Sequence, residues 1–384
     1  MQNQFTEEPT WTAEQKIVFK SEPNIIVSGC AGSGKTLLAC HIALLHEKEN
    51  KIVILVYTKA LRTYITDYLN KFGNNNIDVL YEFQWRKRDF PRYDIIIVDE
   101  FQDFSSNDIS NFIKHSNKGV FLFGDIEQKI YNKNYYKEPT LKFETILEQT
   151  KFPHIKLMDN FRISEENKKI ISCLYKNKGL NNSKQSTGTI PEIMHFENVM
   201  DELNYIKDFL LNNKEFKNIG ILLERNDERK ISYIQDNVYK KDILPGIIEL
   251  NKFLESNGIK NSYKHEFDDY LDFSNETNIN IMTYHSSKGL QFDCIILPFS
   301  NYACIDFPTH YYVALTRATK KIIITYTGLV ADIYANSFLH KSTFKGQIIK
   351  RSEQEKFQEM MRFQALHFQK DKQEWMDTEY EFKS

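Results

Sequence analysis

Ile25-Ile26-Val27-Ser28-Gly29-Cys30-Ala31-Gly32-Ser33-Gly34-Lys35-Thr36 runs from a short apolar stretch through three glycines to a lysine and a threonine. Residues 25–27 suit a strand buried on both faces of a parallel sheet, and residues 36–48 read as a helix. Residues 29–36 fit the spacing G-x-x-x-x-G-K-[ST]. Around Gly29, Gly32, Ser33 and Gly34, backbone N–H groups can wrap phosphates at the positive end of the helix. Lys35 reaches the terminal phosphates, and Thr36 offers a hydroxyl to Mg²⁺. A strand before the loop and a helix after it are the context a phosphate loop requires, and they set the class as α/β.

The same alternation continues outward. Residues 52–57 read as a second buried strand and 60–69 as a helix, closed by turn chemistry at Gly73-Asn74-Asn75-Asn76. Residues 95–98 and 120–123 are further buried strands, each leading into an acid, which implies a parallel sheet with its chemistry at the carboxyl edge. At the first of these ends stand Asp99 and Glu100. Asp99 is expected to hold Mg²⁺ through its water shell, together with Thr36, and Glu100 to orient and deprotonate an attacking water. From residue 151 the pattern restarts: residues 170–175, 199–212, 219–223, a helical stretch before Gly258, 279–283, 294–298 and 322–326 suggest a second sheet with its own helices. The expected division is residues 1–150, 151–328 and a helical tail over 329–384, whose segment 354–374, rich in Gln, Lys, Glu and Phe, reads as an exposed amphipathic helix.

Composition narrows the class. The 384 residues are 41% hydrophobic, which excludes collagenous and wholly disordered chains. The polar start MQNQFTEEPT is unlike a signal peptide and no long apolar run occurs, so a cytoplasmic setting without membrane contact is expected. Five cysteines with no CxxC pair support neither a disulfide framework nor a Cys-rich zinc site. Fifty Lys+Arg against fifty-two Asp+Glu, a formal charge of -2, leave no global basic field, though a local basic groove stays open. Twenty-eight Phe and twenty-one Tyr can stack on bases as well as fill a core.

With these residues in place, the chain resembles the UvrD-like superfamily 1 helicases, whose two RecA-like lobes close over ATP and step along single-stranded nucleic acid. The resemblance extends to about residue 327, as motifs in the family's order. Trp11-Thr-Ala-Glu-Gln15 resembles the element whose glutamine reads adenine. Val56-Tyr57-Thr58-Lys59-Ala60 is similar to the element that touches the strand, which implicates Tyr57 and Thr58. Asp99-Glu100-Phe101-Gln102-Asp103 resembles the DE-x-QD form, and Phe121-Leu-Phe-Gly124-Asp125-Ile-Glu-Gln128 resembles the next motif, with Gln128 implied as γ-phosphate sensor. In the second lobe, Asp159-Asn160-Phe161-Arg162 resembles N-[YF]-R, implying that Phe161 stacks on adenine and Arg162 is an arginine finger. Met282-Thr283-Tyr-His285-Ser-Ser-Lys288-Gly289-Leu290-Gln291-Phe292 is similar to T-x-H-x-x-KGLEF. There the resemblance implies strand contact at Thr283 and His285, and nucleotide contact at Gly289 and Gln291. Tyr312-Val-Ala314-Leu-Thr316-Arg317-Ala318 resembles Y-V-A-x-T-R-A, with Arg317 as second finger.

The chain also departs from the family. Residues 58–93 are too few for the large first-lobe insertion, and residues 225–279 leave room for little beyond a small helical remnant of the second, so the expectation is a minimal motor. Lys133 stands where a base-stacking Trp is usual, and it can hold a phosphate instead; Gln291 replaces the usual Glu. The leading expectation is an ATP-driven translocase on single-stranded nucleic acid, DNA favoured over RNA, moving 3′ to 5′ by resemblance. A second reading is an ATP-gated switch that controls a partner effector such as a nuclease. A phosphate-loop kinase or transferase fits poorly, because no acceptor site is visible.

Overall fold

The computed structural model describes residues 10–73, 76–125, 143–174, 188–235, 238–265, 268–269, 271, 278–300, 308–327 and 345–346. The first sheet contains β1 (Ile25–Gly29), β2 (Ile52–Val56), β3 (Ile77–Tyr81), β4 (Tyr93–Asp99), β5 (Ser116–Gly124) and β6 (His154–Leu157). Its order is β3-β2-β4-β5-β1-β6, and every pairing is parallel. The period of two distributes β2 between two cores: Ile52, Ile54 and Val56 enter one cluster and Val53 and Leu55 the other. That double burial explains why the strand reads as an unbroken apolar run. Removing Leu55 to Ala in such a place costs about 2–5 kcal/mol.

The sheet continues past residue 150, where the sequence pattern restarts, because β6 pairs with β1. His-Ile-Lys-Leu alternates polar and apolar residues too briefly to announce a strand. Residues 158–164 then carry the chain into the second lobe, where Ile163, Ile170 and Ile171 join its core.

The second sheet contains β7 (Glu192–Phe196), β8 (Asn218–Leu223), β11 (Ser262–His265), β12 (Asp268–Asp269), β13 (Asn278–Thr283), β14 (Phe292–Leu297), β15 (Ala318–Thr327) and β16 (Lys345–Gly346), in the order β12-β11-β13-β8-β14-β15-β7-β16. Only the short β12 is antiparallel to its neighbour. Residues 170–174 fall in the helix Glu165–Leu174. The segment expected to hold a helical remnant differs from expectation. It opens with an antiparallel hairpin of β9 (Arg229–Gln235) and β10 (Val238–Leu244), and the helix Ile247–Ser256 follows. Arg-Lys-Ile-Ser-Tyr-Ile-Gln mixes charge with β-branched residues, a weak period-two signal that a search for helices passes over.

Two mainly parallel sheets, each flanked by helices, make the RecA-like, two-lobed architecture that the resemblance implies. Apart from the edge strand β16, the expected helical tail lies outside the described residues. Among the described residues no helix is long and apolar enough to cross a membrane.

Candidate nucleotide site and strand groove

β1 ends at Gly29, and the helix α1 (Lys35–His46) begins after a loop in which Gly32 and Gly34 take φ of 77° and 84°. That left-handed backbone suits glycine. At Gly32 a side chain would also meet the second lobe, since a Cβ there would lie 2.5 Å from Arg162 Cβ and 2.6 Å from Asn160 Oδ1. The loop closes on itself: Lys35 Nζ donates to the carbonyls of Gly29 (2.8 Å) and Cys30 (3.0 Å). Buried Gln15 is engaged at both ends of its amide, donating to Ser33 O (3.0 Å) and accepting from Thr12 N–H (3.0 Å).

Thr36 and Asp99 meet where a divalent cation would need them, with the hydroxyl donating to Asp99 Oδ2 at 2.7 Å. Asp99 is fully buried beside Glu100. Burial, and then the Glu100 charge, push its carboxyl up to about 7 against Thr36 and Lys35. Burial raises Glu100 too, but Lys288, Lys35, the Gln102 hydrogen bond and Arg317 together outweigh it and hold its carboxyl below the ordinary range. Glu100 sits at φ 60°, off the end of β4. Gln102 donates to its carboxylate and accepts from the N–H of Asp125, so it ties Glu100 to the end of β5.

The second lobe closes this site with cations. Phe161 N–H donates to Gly32 O at 2.8 Å, and Asn160 Oδ1 accepts from the N–H groups of Arg162 and Ile163, which fixes the turn that delivers Arg162. The Phe161 ring is 39% exposed. Burial lowers Arg162, while Tyr64, Glu100, Cys30 and Asp99 favour its charged form. Arg317 is fixed by the carbonyls of Val313 and Leu290 and by the Thr316 hydroxyl. Burial and then Arg162 pull it down to about 9, against Glu100. The two arginines are therefore neighbours that both act on Glu100. Three buried donors around the loop, Ser33 Oγ, Asn160 Nδ2 and Arg162 Nε, have no hydrogen-bond partner among the described residues, so the pocket fits a polyanion.

Sequence reasoning gave no role to one cross-lobe contact. Lys288 Nζ binds both Asp103 oxygens, at 2.8 and 2.6 Å, with the two side chains 1% and 0% exposed. Both residues lie inside the quoted motif strings, but 185 residues separate them. Gly289 follows at φ 83°, where a Cβ would lie 2.7 Å from Leu61 of the helix α2 (Lys59–Asn70), so this glycine seats the second lobe on the first. Gln291 is exposed at the start of β14, and its carbonyl accepts from Asn218.

The expected strand contacts lie at the carboxyl edges. Tyr57 packs edge-on against Phe104 (5.5 Å), and Thr58 caps α2 through Leu61 N–H. Thr283 ends β13 and bonds Ser286. His285 stacks on His310 at 5.6 Å, and burial, then His310 and Lys288, lower it to about 4, so the imidazole is neutral. Both histidines, with Thr283, Glu224, Arg225 and Asp227, line a cavity of about 350 Å³. Because β13 and β14 both run parallel to β8, residues 284–291 span the sheet from this cavity back to its amino edge, where Leu290 O meets Arg317. Gln128 and Lys133 lie outside the described residues.

Residues 14–134 match the AAA domain family and residues 232–328 the UvrD-like helicase C-terminal domain family. No curated protein matches the chain. Among solved structures, the arterivirus nonstructural protein 10 helicase in complex with DNA is 15% identical, over 81% of this chain and 62% of its own, with a TM-score of 0.41. Bacteroides Pif1 bound to ssDNA is 14% identical over 88% and 95%, with a TM-score of 0.39. The chain thus spans about 62% of the length of that arterivirus helicase, and at these scores neither likeness bears on substrate. One family covers the phosphate loop and acid pair and the other covers Lys288 and Arg317, in the order the resemblance implies, so residues 14–134 belong to the AAA domain family and residues 232–328 to the UvrD-like helicase C-terminal domain family, the pair expected of a UvrD-like superfamily 1 helicase.

Proposed function

We propose that the chain hydrolyses ATP in the cleft between its lobes and uses the cycle to move along single-stranded nucleic acid, DNA in preference to RNA, in the 3′ to 5′ direction. The observation that carries this reading is the convergence of Lys35, Asp99 and Glu100 from one lobe with buried Arg162 and Arg317 from the other. Gln15 and Phe161 border the base, the loop N–H groups and Lys35 hold the phosphates, and Gly289 and Gln291 approach from the second lobe. Thr36 and Asp99 hold Mg²⁺, which supplies positive charge to the phosphoryl oxygens when bound. Glu100, kept ionised by the cations around it, takes the proton of the attacking water. Arg162 and Arg317 stabilise charge that grows on the transferred group, a contribution of about 10³ to 10⁵ in rate for one such arginine.

Strand contact falls to Tyr57 and Thr58 on the first lobe, Thr283 and His285 on the second, and Lys133. Residues 284–291 join the strand edge to the amino edge of the second sheet, where Leu290 O meets Arg317, which supports coupling between hydrolysis and movement. The test is an ATPase assay with Mg²⁺, with and without single-stranded DNA and RNA oligonucleotides at low salt. The expected result is a several-fold rise with the oligonucleotide, abolished in Lys35→Ala. Hydrolysis that no oligonucleotide changes would overturn the translocase reading and leave an ATP-gated switch.

A further inference from the structure

β3 ends at Tyr81 opposite Val56 of β2, and the two strands lead into helices at the same carboxyl edge. Lys59 opens α2, and Phe83 lies in the first turn of the helix Glu82–Lys87. The rings of Tyr81 and Phe83 stack with centroids 6.3 Å apart and planes at 15°, and Lys59 Nζ stands 5.9 Å from the Tyr81 ring centre. Phe83 is 59% exposed, the highest value among the described large apolar side chains. Lys87, also exposed, follows Phe83 by one helical turn. The result is a surface ribbon of cation, ring, ring and cation.

Tyr81 is half-buried against the first-lobe core, and Phe83 extends the ribbon outside that core, where packing does not require it. The helix is anchored from its other side by Trp85, 1% exposed, which contacts Phe90, Phe112 and His115. Arg86 is engaged by Glu82 and Asp108. An aromatic pair kept parallel, the inner ring seated on the core and the outer ring open to water, with a lysine at each end, matches a strand that alternates flat bases and phosphates. We propose that Tyr81 and Phe83 form a base-stacking platform for single-stranded nucleic acid, with Lys59 and Lys87 holding the adjoining phosphates. The proposal rests on the nucleic-acid reading above and supplies a stacking surface in a chain that has Lys133 where its relatives stack a Trp.

The test titrates the full chain, at low salt, with a fluorescein-labelled oligothymidylate and with an abasic strand of equal length, read by fluorescence polarisation. Phe83→Ala weakens oligothymidylate binding about tenfold and leaves abasic binding unchanged. Phe83→Trp restores the affinity, which shows that the ring and not the fold is at issue. Lys87→Ala weakens both strands and lowers the salt slope by about one. Wild-type affinity of Phe83→Ala for both strands, or equal weakening for both, overturns the platform while the nucleic-acid reading stands. Absence of wild-type binding to either strand overturns both.

Discussion

The first lobe brings acids to the cleft and the second brings cations, and each set is unfavourable where it stands. Asp99 is pushed up to about 7 by burial and by Glu100. Arg317 is pulled down to about 9 by burial and by Arg162. Part of what relieves each set comes from the opposite side: Glu100 favours the charged forms of Arg162 and Arg317, while Lys288 and Arg317 favour ionised Glu100 alongside Lys35. Lys35 of the first lobe shares in holding Glu100 ionised, but two half-sites that each gain from the other make closure of the lobes and assembly of the proposed catalytic charges a single event. On the proposed function, neither lobe alone then offers a competent site, a simple physical route from nucleotide state to lobe position.

The largest effect expected from breaking this complementarity is on the cationic side. Arg162→Ala and Arg317→Ala each lower kcat by about 10³ to 10⁵, with ATP affinity changed far less, in single-turnover phosphate release at saturating ATP. A loss confined to affinity would mean that the arginines only bind. On the acidic side, Glu100→Gln keeps the volume and a partner for Gln102 but removes the charge, and kcat falls by about 10² to 10⁴. Unchanged turnover would place the base elsewhere.

The Lys288–Asp103 pair sharpens the comparison, because there an acid of the first lobe and a cation of the second are in direct contact. Lys288→Met leaves the Asp103 carboxylate fully buried without this cation, at a cost of about 3–5 kcal/mol in unfolding free energy. Adding Asp103→Asn to the same chain recovers most of it, as thermal melts of the two variants would reveal. If the double variant melts no higher than Lys288→Met, the lysine is needed for something other than this carboxylate.

The parts legible in the sequence are those whose spacing is dictated by local chemistry. The phosphate loop, the acids at the end of β4 and the arginines inside their strings each need a fixed run of neighbours, so residues 29–36 announce themselves. What could not be read is set by contacts between distant segments. The Lys288–Asp103 pair joins residues 185 apart, and β6 becomes a strand only because β1 offers it an edge. The hairpin of β9 and β10 went unread for lack of a strong period. Tyr81 and Phe83 look like core residues until the fold turns Trp85 inward and leaves Phe83 in water.

A second buried carboxylate sets the limit of the comparison. Glu202, on the helix Val199–Asn212, is as buried as Asp99 but meets no cation among the described residues. Its oxygens accept from Phe299 N–H and from the hydroxyls of Thr325 and Thr327, at 2.6–2.7 Å. Those three neutral donors do not offset burial, and the carboxyl is pushed from 4.5 up to about 7. The native chain therefore keeps a proton that the unfolded chain has released between those values, so this group's contribution to stability falls as pH rises from 4.5 to about 7. Glu202→Gln is neutral throughout, and the threonine hydroxyls can turn to accept from its amide. Relative to wild type, the variant gains about 2–3 kcal/mol across that window, measured by denaturant unfolding at several pH values. A difference between the two chains that stays flat with pH would mean that three neutral donors suffice to keep a buried carboxylate charged, and that the cations around Glu100 are there for catalysis alone and not for its ionisation.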